Sequence, residues 1–150
     1  MKKIIGAMAA GHLLLPVSLT CVAETSAGAR HYLQTCLSLA QVSAITGLAL
    51  TQSSQASSPQ DSCSYNDSEQ LSKQSRVIYG RDAGYRVAFG ASDIMQKVPG
   101  LGNFAEFDLD AGTLYVNVGS DGLTFEGRKG KQKLSLDQLR ALAEKVLQQP

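Results

Sequence analysis

Few side chains here are suited to covalent chemistry, and their spacing narrows the options. Only two histidines occur, His12 and His31. A Ser-His-Asp or Cys-His site needs one of them as general base. His12 lies in an apolar leader, so His31 would have to serve, close to the start of the remaining chain. No G-x-S-x-G or S-x-x-K nucleophile motif is present. No Cys/His set has zinc spacing. No catalytic residue and no metal site are expected.

Four carboxylates, Glu106, Asp108, Asp110 and Glu126, share one alternating stretch. Paired carboxylates bind Ca²⁺ or act as acid and base. On an open strand face they are not held in a cage, so a solvated face that blunts sheet association is expected. Gly100-Leu101-Gly102-Asn103-Phe104-Ala105 matches G-x-G-x-x-A, the dinucleotide fingerprint. That motif needs a strand before it and a helix after it. An alternating strand follows instead, which predicts a tight turn entering a strand and no cofactor. Arg128-Lys129-Gly130-Lys131-Gln132-Lys133 is the only dense charge run. It suits a phosphate-rich surface such as lipopolysaccharide, or an acidic partner. The plainer reading is a solvated loop between strand and helix. No aromatic residue interleaves with the charges, so nucleic acid is not an expected partner. The possible binding surface comprises Pro99, Gly100, Leu101, Gly102, Arg128, Lys129, Lys131 and Lys133.

These residues must be positioned by the elements around them. From Asn103 the chain alternates with period two, the mark of a half-buried strand. Ala105, Phe107 and Leu109 share one face; Leu114, Val116, Val118, Leu123 and Phe125 continue it over two further strands. The opposite face carries Glu106, Asp108, Tyr115, Asn117, Thr124 and Glu126. Facing residues in an antiparallel pair lie on one face. Pairing Leu109 with Leu114 and Val118 with Leu123 leaves two four-residue loops, 110–113 and 119–122. The apolar face needs a cover, and Ser135 to Gln148 supplies one. Ser135 and Gln138 form a capping box, and Leu136, Leu139, Leu142, Ala143, Val146 and Leu147 form an apolar stripe.

The chain opens with Lys2 and Lys3, then a mostly apolar run from Ile4 to Leu19. Cys21-Val22-Ala23 predicts signal-peptide cleavage after Ala23, followed by a flexible leader, 24–31, and a single domain, 32–150. The run is short and interrupted for a membrane span, so no integral span is expected after processing. Acylation of Cys21, giving a lipoprotein, is the minority alternative. Cleavage leaves 127 of the 150 residues, with twelve basic side chains against thirteen acidic ones. That balance favours neither nucleic acid nor an anionic membrane. Cys36 and Cys63 remain, and an even count in an exported chain suggests a disulfide, with two buried free thiols as the alternative. Ser38 and Gln41 make a second capping box, Leu39, Val42 and Ile45 face one way, and Gly47 ends the helix. Strands are predicted at 48–51, 62–66, 76–79 and 85–89, with a turn over 80–84 and another over 67–73. Gln52 to Gln60 reads as a loop, and Ser92 caps a short helix over 93–98.

In order, the chain shows Cys36-Leu37-Ser38-Leu39, a helix ending at Gly47, and Cys63-Ser64-Tyr65. Then come Val98-Pro99-Gly100-Leu101-Gly102-Asn103-Phe104-Ala105, Leu114-Tyr115-Val116 and a closing amphipathic helix. This order resembles a broad group of small bacterial secreted proteins and lipoproteins of unknown function, over roughly Tyr32 to the C-terminus. Asn103-Phe104 stands where that group has Asp. The resemblance implies an α+β domain with a curved antiparallel sheet, a Cys36–Cys63 disulfide and an envelope location. It implies no catalytic residues.

The expected fold is α+β, a two-layer antiparallel sheet of about five or six strands with N- and C-terminal helices on one face. The expected location is periplasmic or secreted. The expected function is a non-catalytic envelope binding module for a protein or a small amphiphile. The alternatives are an inhibitor of a secreted enzyme, presenting Gln52 to Gln60 or the Pro-Gly-Leu-Gly loop, and a carboxylate- or metal-dependent hydrolase.

Overall fold

Three consecutive alternating segments form the middle of one antiparallel sheet. The structure is a computed structural model and describes residues 31–56, 61–67, 74–82, 94–119 and 121–150. The expected signal peptide, Cys21, the leader up to residue 30, the strand at 85–89 and most of the turn at 67–73 lie outside the described residues. In chain order the elements are a 3₁₀ turn (His31–Leu33), α1 (Leu39–Thr46), β1 (Gln52–Ala56), β2 (Ser62–Asn66), β3 (Ser75–Asp82), β4 (Met95–Lys97), β5 (Phe104–Asp108), β6 (Thr113–Val118), β7 (Asp121–Lys129), β8 (Gln132–Lys133) and α2 (Leu136–Leu147). The sheet runs β1-β2-β3-β7-β6-β5-β4, and β8 pairs with the end of β7. The architecture is α+β, with eight strands rather than five or six.

The apolar face of the meander is as alternation predicts. Ala105, Phe107, Leu114, Val116, Val118, Leu123 and Phe125 are all buried. α2 packs on β6 and β7 and buries Leu139, Leu142, Ala143 and Val146. The placement of α1 differs from expectation. Its principal neighbour is α2, not the sheet, and Gln138 Nε2 donates to Thr46 O at 2.6 Å between the two helices. Both predicted capping boxes are present, at Ser38/Gln41 and at Ser135/Gln138. Gly47 ends α1 in the left-handed region, φ 70°.

Register departs from expectation by two residues in both hairpins. Phe107 faces Leu114 and Ala105 faces Val116; Val116 faces Leu123 and Leu114 faces Phe125. A shift of two leaves every side chain on its predicted face, so turn chemistry decides. The Asp108 carboxylate accepts from Asp110 N at 2.8 Å and Ala111 N at 2.7 Å. Gly112 closes that turn at φ +70°, a conformation side chains resist. The loop is therefore 109–112, and Leu109 is left 52% exposed. In the second hairpin Asn103 Oδ1 accepts from Gly119 N at 2.7 Å, and Val118 already pairs with Asp121.

Five other expectations are corrected. Gln52–Ala56 is an edge strand, not a loop; all five residues are exposed, and backbone pairing with β2 is what orders them. Residues 48–51 form no strand; Leu48 and Leu50 are buried at 6% and 8%, and Leu50 N donates back to Leu48 O at 3.1 Å. The predicted short helix is replaced at Met95–Lys97 by β4, whose pairing with β5 outweighs the local cap signal. Arg128–Lys133 is not a simple loop, because β7 continues to Lys129 and turns back as β8. β3 runs past the predicted 76–79 to Asp82, so residues 80–82 of the expected turn are strand, and 83–84 lie outside the described residues.

One polar cluster anchors the amino-terminal segment. Tyr65 and Tyr79 are fully buried. Leu37 N–H donates to Tyr79 Oη at 2.8 Å, and Tyr65 O–H donates to Leu37 O at 2.7 Å. The hydroxyls are 3.1 Å apart. A phenol has one hydrogen, and that of Tyr65 is committed, so Tyr79 donates to Tyr65. The ring of bonds closes with every member satisfied. Beside it, Cys36 and Cys63 form a disulfide, with Cα atoms 5.7 Å apart and a sequence separation of 27. Tyr79 also lies between Tyr65 and Phe125, with ring centroids 6.0 and 5.7 Å away.

Tyr79→Phe strands the buried Leu37 N–H, so denaturant unfolding is expected to show a loss of about 1–3 kcal/mol. Removing both cysteines together is expected to cost about 3 kcal/mol, the scale for a loop of this length. Burial pushes both hydroxyls above the ordinary tyrosine value of 10.0. Their stability contribution is therefore intact below that value and lost as pH climbs beyond it. In an ultraviolet titration, Tyr65 and Tyr79 are expected to ionise only together with alkaline unfolding.

Candidate functional site

Strand alternation sends Tyr79, Phe125 and Gly127 inward, and therefore Arg76, Ile78, Glu126 and Arg128 outward. Pairing then builds a row. Arg76 lies opposite Arg128, and Arg128 lies opposite Lys133. Neighbouring strands are about 4.8 Å apart, so three cations span roughly 10 Å. Lys131 projects from the tight turn where Gly130 adopts φ +59°. Like charges placed directly opposite one another across strands are destabilising. None of the row's cations takes part in the Arg81–Asp121 or Arg140–Glu144 ion pair, and one carboxylate, Glu126, lines the same groove.

These cations line a groove of ≈ 510 Å³. Ile78, Glu126, and Ala111 and Gly112 from the β5–β6 loop line it as well. Lys133 Nζ donates to the Asp110 carbonyl and ties that loop to β8. Arg128, Lys131, Lys133 and Glu126 are exposed, while Arg76 and Ile78 are half-buried.

The Pro-Gly-Leu-Gly loop forms a second, separate surface. Gly102 adopts φ +52°, and a Cβ there would lie 2.3 Å from Asn117 O. Leu101 is 2% exposed and anchors the loop inward. Arg140 Nη2 donates to Pro99 O at 3.3 Å. A groove of ≈ 360 Å³ beside it is lined by Tyr32, Gly100, Gly102, Gly119, Glu144 and Leu147 among others, and shares no residue with the cationic groove. The structure thus brings Arg128, Lys131 and Lys133 together and keeps them apart from Pro99–Gly102. Lys129 alternates to the other side of β7 and does not line the cationic groove.

The four carboxylates do not converge. Asp108 is engaged in its turn, and Asp110 and Glu126 are exposed. Glu106 departs from expectation: it is 2% exposed rather than solvated. Its cross-strand neighbours are Lys97 and Tyr115. Desolvation lifts its carboxyl above the ordinary range, and Lys97 opposes the shift. Among the described residues no three His, Cys, Asp or Glu side chains are grouped to hold a metal ion. His31 lies exposed in the 3₁₀ turn, edge-on to Tyr32 with ring centroids 5.3 Å apart.

Arg76 is the member of the row that local patterns miss. It lies far from the basic run in sequence, and only the β3–β7 pairing delivers it. No family model matches the chain, and neither a curated protein nor a solved structure does so. The chemistry of the site therefore rests on its own residues.

A raised carboxyl favours the protonated fold, so stability is lost as pH rises through the folded-state value. Glu106→Gln is expected to match the natural protein's melting temperature under acid conditions below the ordinary glutamate range. It should exceed that temperature at neutral pH. A fixed difference at all pH values would show that desolvation of the charge is not the cause.

Proposed function

We propose that the protein is an exported, non-catalytic binding module that engages its ligand on the outer face of the sheet. The observation that carries this reading is the groove over β3, β7 and β8. There Arg76, Arg128, Lys131 and Lys133 outnumber the one lining carboxylate, Glu126, on the side away from α2. An opposed cation row adds repulsion to the sheet and suits a surface that meets an anionic partner. Real proteins break local stability rules chiefly at functional sites. The Cys36–Cys63 disulfide suits an oxidising compartment. No helix among the described residues is long and apolar enough to cross a membrane.

The inhibitor reading is the weaker of the two. With Leu101 turned inward, the Pro-Gly-Leu-Gly loop offers a partner little beyond Pro99 and two glycines. The hydrolase reading needs paired carboxylates, and the described ones are dispersed.

Fusing alkaline phosphatase, which folds only under oxidising conditions, to the C-terminus tests the location. An active fusion is expected; an inactive, cytoplasmic one rejects export. Isotope-labelled protein titrated with a bacterial envelope extract tests the face. Amide shifts should cluster on 76–78 and 126–133. Shifts confined to α1 and α2 would reject the proposed surface.

A further inference from the structure

We propose that Arg76, Arg128, Lys131 and Lys133 form a receptor for a ligand carrying two linked or closely spaced phosphate groups, a pyrophosphate or bisphosphate. This inference deepens the binding-module reading and rests on it. The first argument is charge. Four cations and Glu126 give the groove lining a net charge of +3. An anion seated between Arg76, Arg128 and Lys133 relieves their mutual repulsion.

The second argument is geometry. The guanidinium is a planar fork that holds phosphate oxygens in pairs, and the ammonium is a point charge that swings to meet them. Two arginines side by side on adjacent strands, flanked by two lysines, offer more donors than one phosphate can accept. The row spans roughly 10 Å, which fits two phosphates and not an extended polyanion. Ala111 and Gly112 of the β5–β6 loop also line the groove.

The third argument is the rest of the lining. A volume of ≈ 510 Å³ lies within the usual range for small-molecule sites. Ile78 supplies an apolar contact for a carbon skeleton, and no aromatic side chain lines the groove to stack a base. Glu126 lines the groove as an acceptor for a ligand hydroxyl. The phosphates are free in solution or carried on a lipid headgroup, and the groove's chemistry is the same for both.

The test uses the full oxidised chain at low salt. Inorganic pyrophosphate is expected to raise the melting temperature, with at least tenfold weaker binding of orthophosphate by calorimetry. Arg128→Gln should lose at least tenfold in pyrophosphate affinity, yet melt no lower than the natural protein without ligand, because one repulsion is gone. Arg76→Gln should behave alike and serves if the first variant does not fold. Lys145→Gln, on the exposed side of α2, should bind as the natural protein does. Flotation with phosphatidylcholine vesicles, with and without cardiolipin, separates the sources. Cardiolipin-dependent flotation lost in Arg128→Gln assigns a lipid headgroup, and pyrophosphate binding without flotation assigns a soluble ligand. Neither kind of binding, or binding that Arg128→Gln and Arg76→Gln leave unchanged, overturns the proposal. If envelope extract still shifts the outer-face amides in that case, the binding-module reading stands and only the phosphate receptor falls.

Discussion

The ring of hydrogen bonds joining Leu37, Tyr65 and Tyr79 is the constraint from which much of the remaining architecture follows. It occupies both backbone groups of Leu37 in the apolar interior, where an unmatched amide is costly. It fixes the segment before α1 against β2 and β3, and the Cys36–Cys63 bond holds the neighbouring position. Tyr79 in turn stacks on Phe125, its direct partner on β7. That same register places Arg76 against Arg128 three residues further along each strand. The buried aromatic stack on one side of the sheet and the cation row on the other are thus two consequences of one strand pairing.

Parts of this were legible from residues alone, and the boundary has physical causes. Capping boxes are local, so Ser38/Gln41 and Ser135/Gln138 could be read directly. Alternation reports which face a side chain occupies, so the buried set of the meander could be read as well. It does not report register, because pairings that differ by two residues have the same faces. The Asp108 side chain settles that question through bonds to the next turn. Alternation also does not report cover, which is why Glu106 reads as solvated and is buried. β1 has no apolar periodicity at all; its order comes from backbone pairing with β2. The cation row combines a visible run with an invisible member, since Arg76 meets Arg128 only after the sheet is assembled.

The two faces divide the labour of the fold. Inward positions carry the packing, roofed by α2 with α1 beside it. Outward positions at the β3–β7–β8 end carry the cation row. The two surfaces singled out from sequence end up distinct for the same reason. Leu101 is drawn inward to pin the Pro-Gly-Leu-Gly loop, whereas Arg128 and Lys133 are held outward by strands that are themselves anchored through the core.

β1 has one more consequence. An open sheet has two rims, and a rim of unpaired amides and carbonyls invites another chain to add itself. Here one rim is Gln52–Ala56, made of glutamine, serine and alanine, with every side chain in solvent. A visiting strand would gain backbone bonds there but no apolar burial. The opposite rim, β4, is three residues long and carries Lys97. Among the described residues, neither rim offers an added strand an apolar surface to bury.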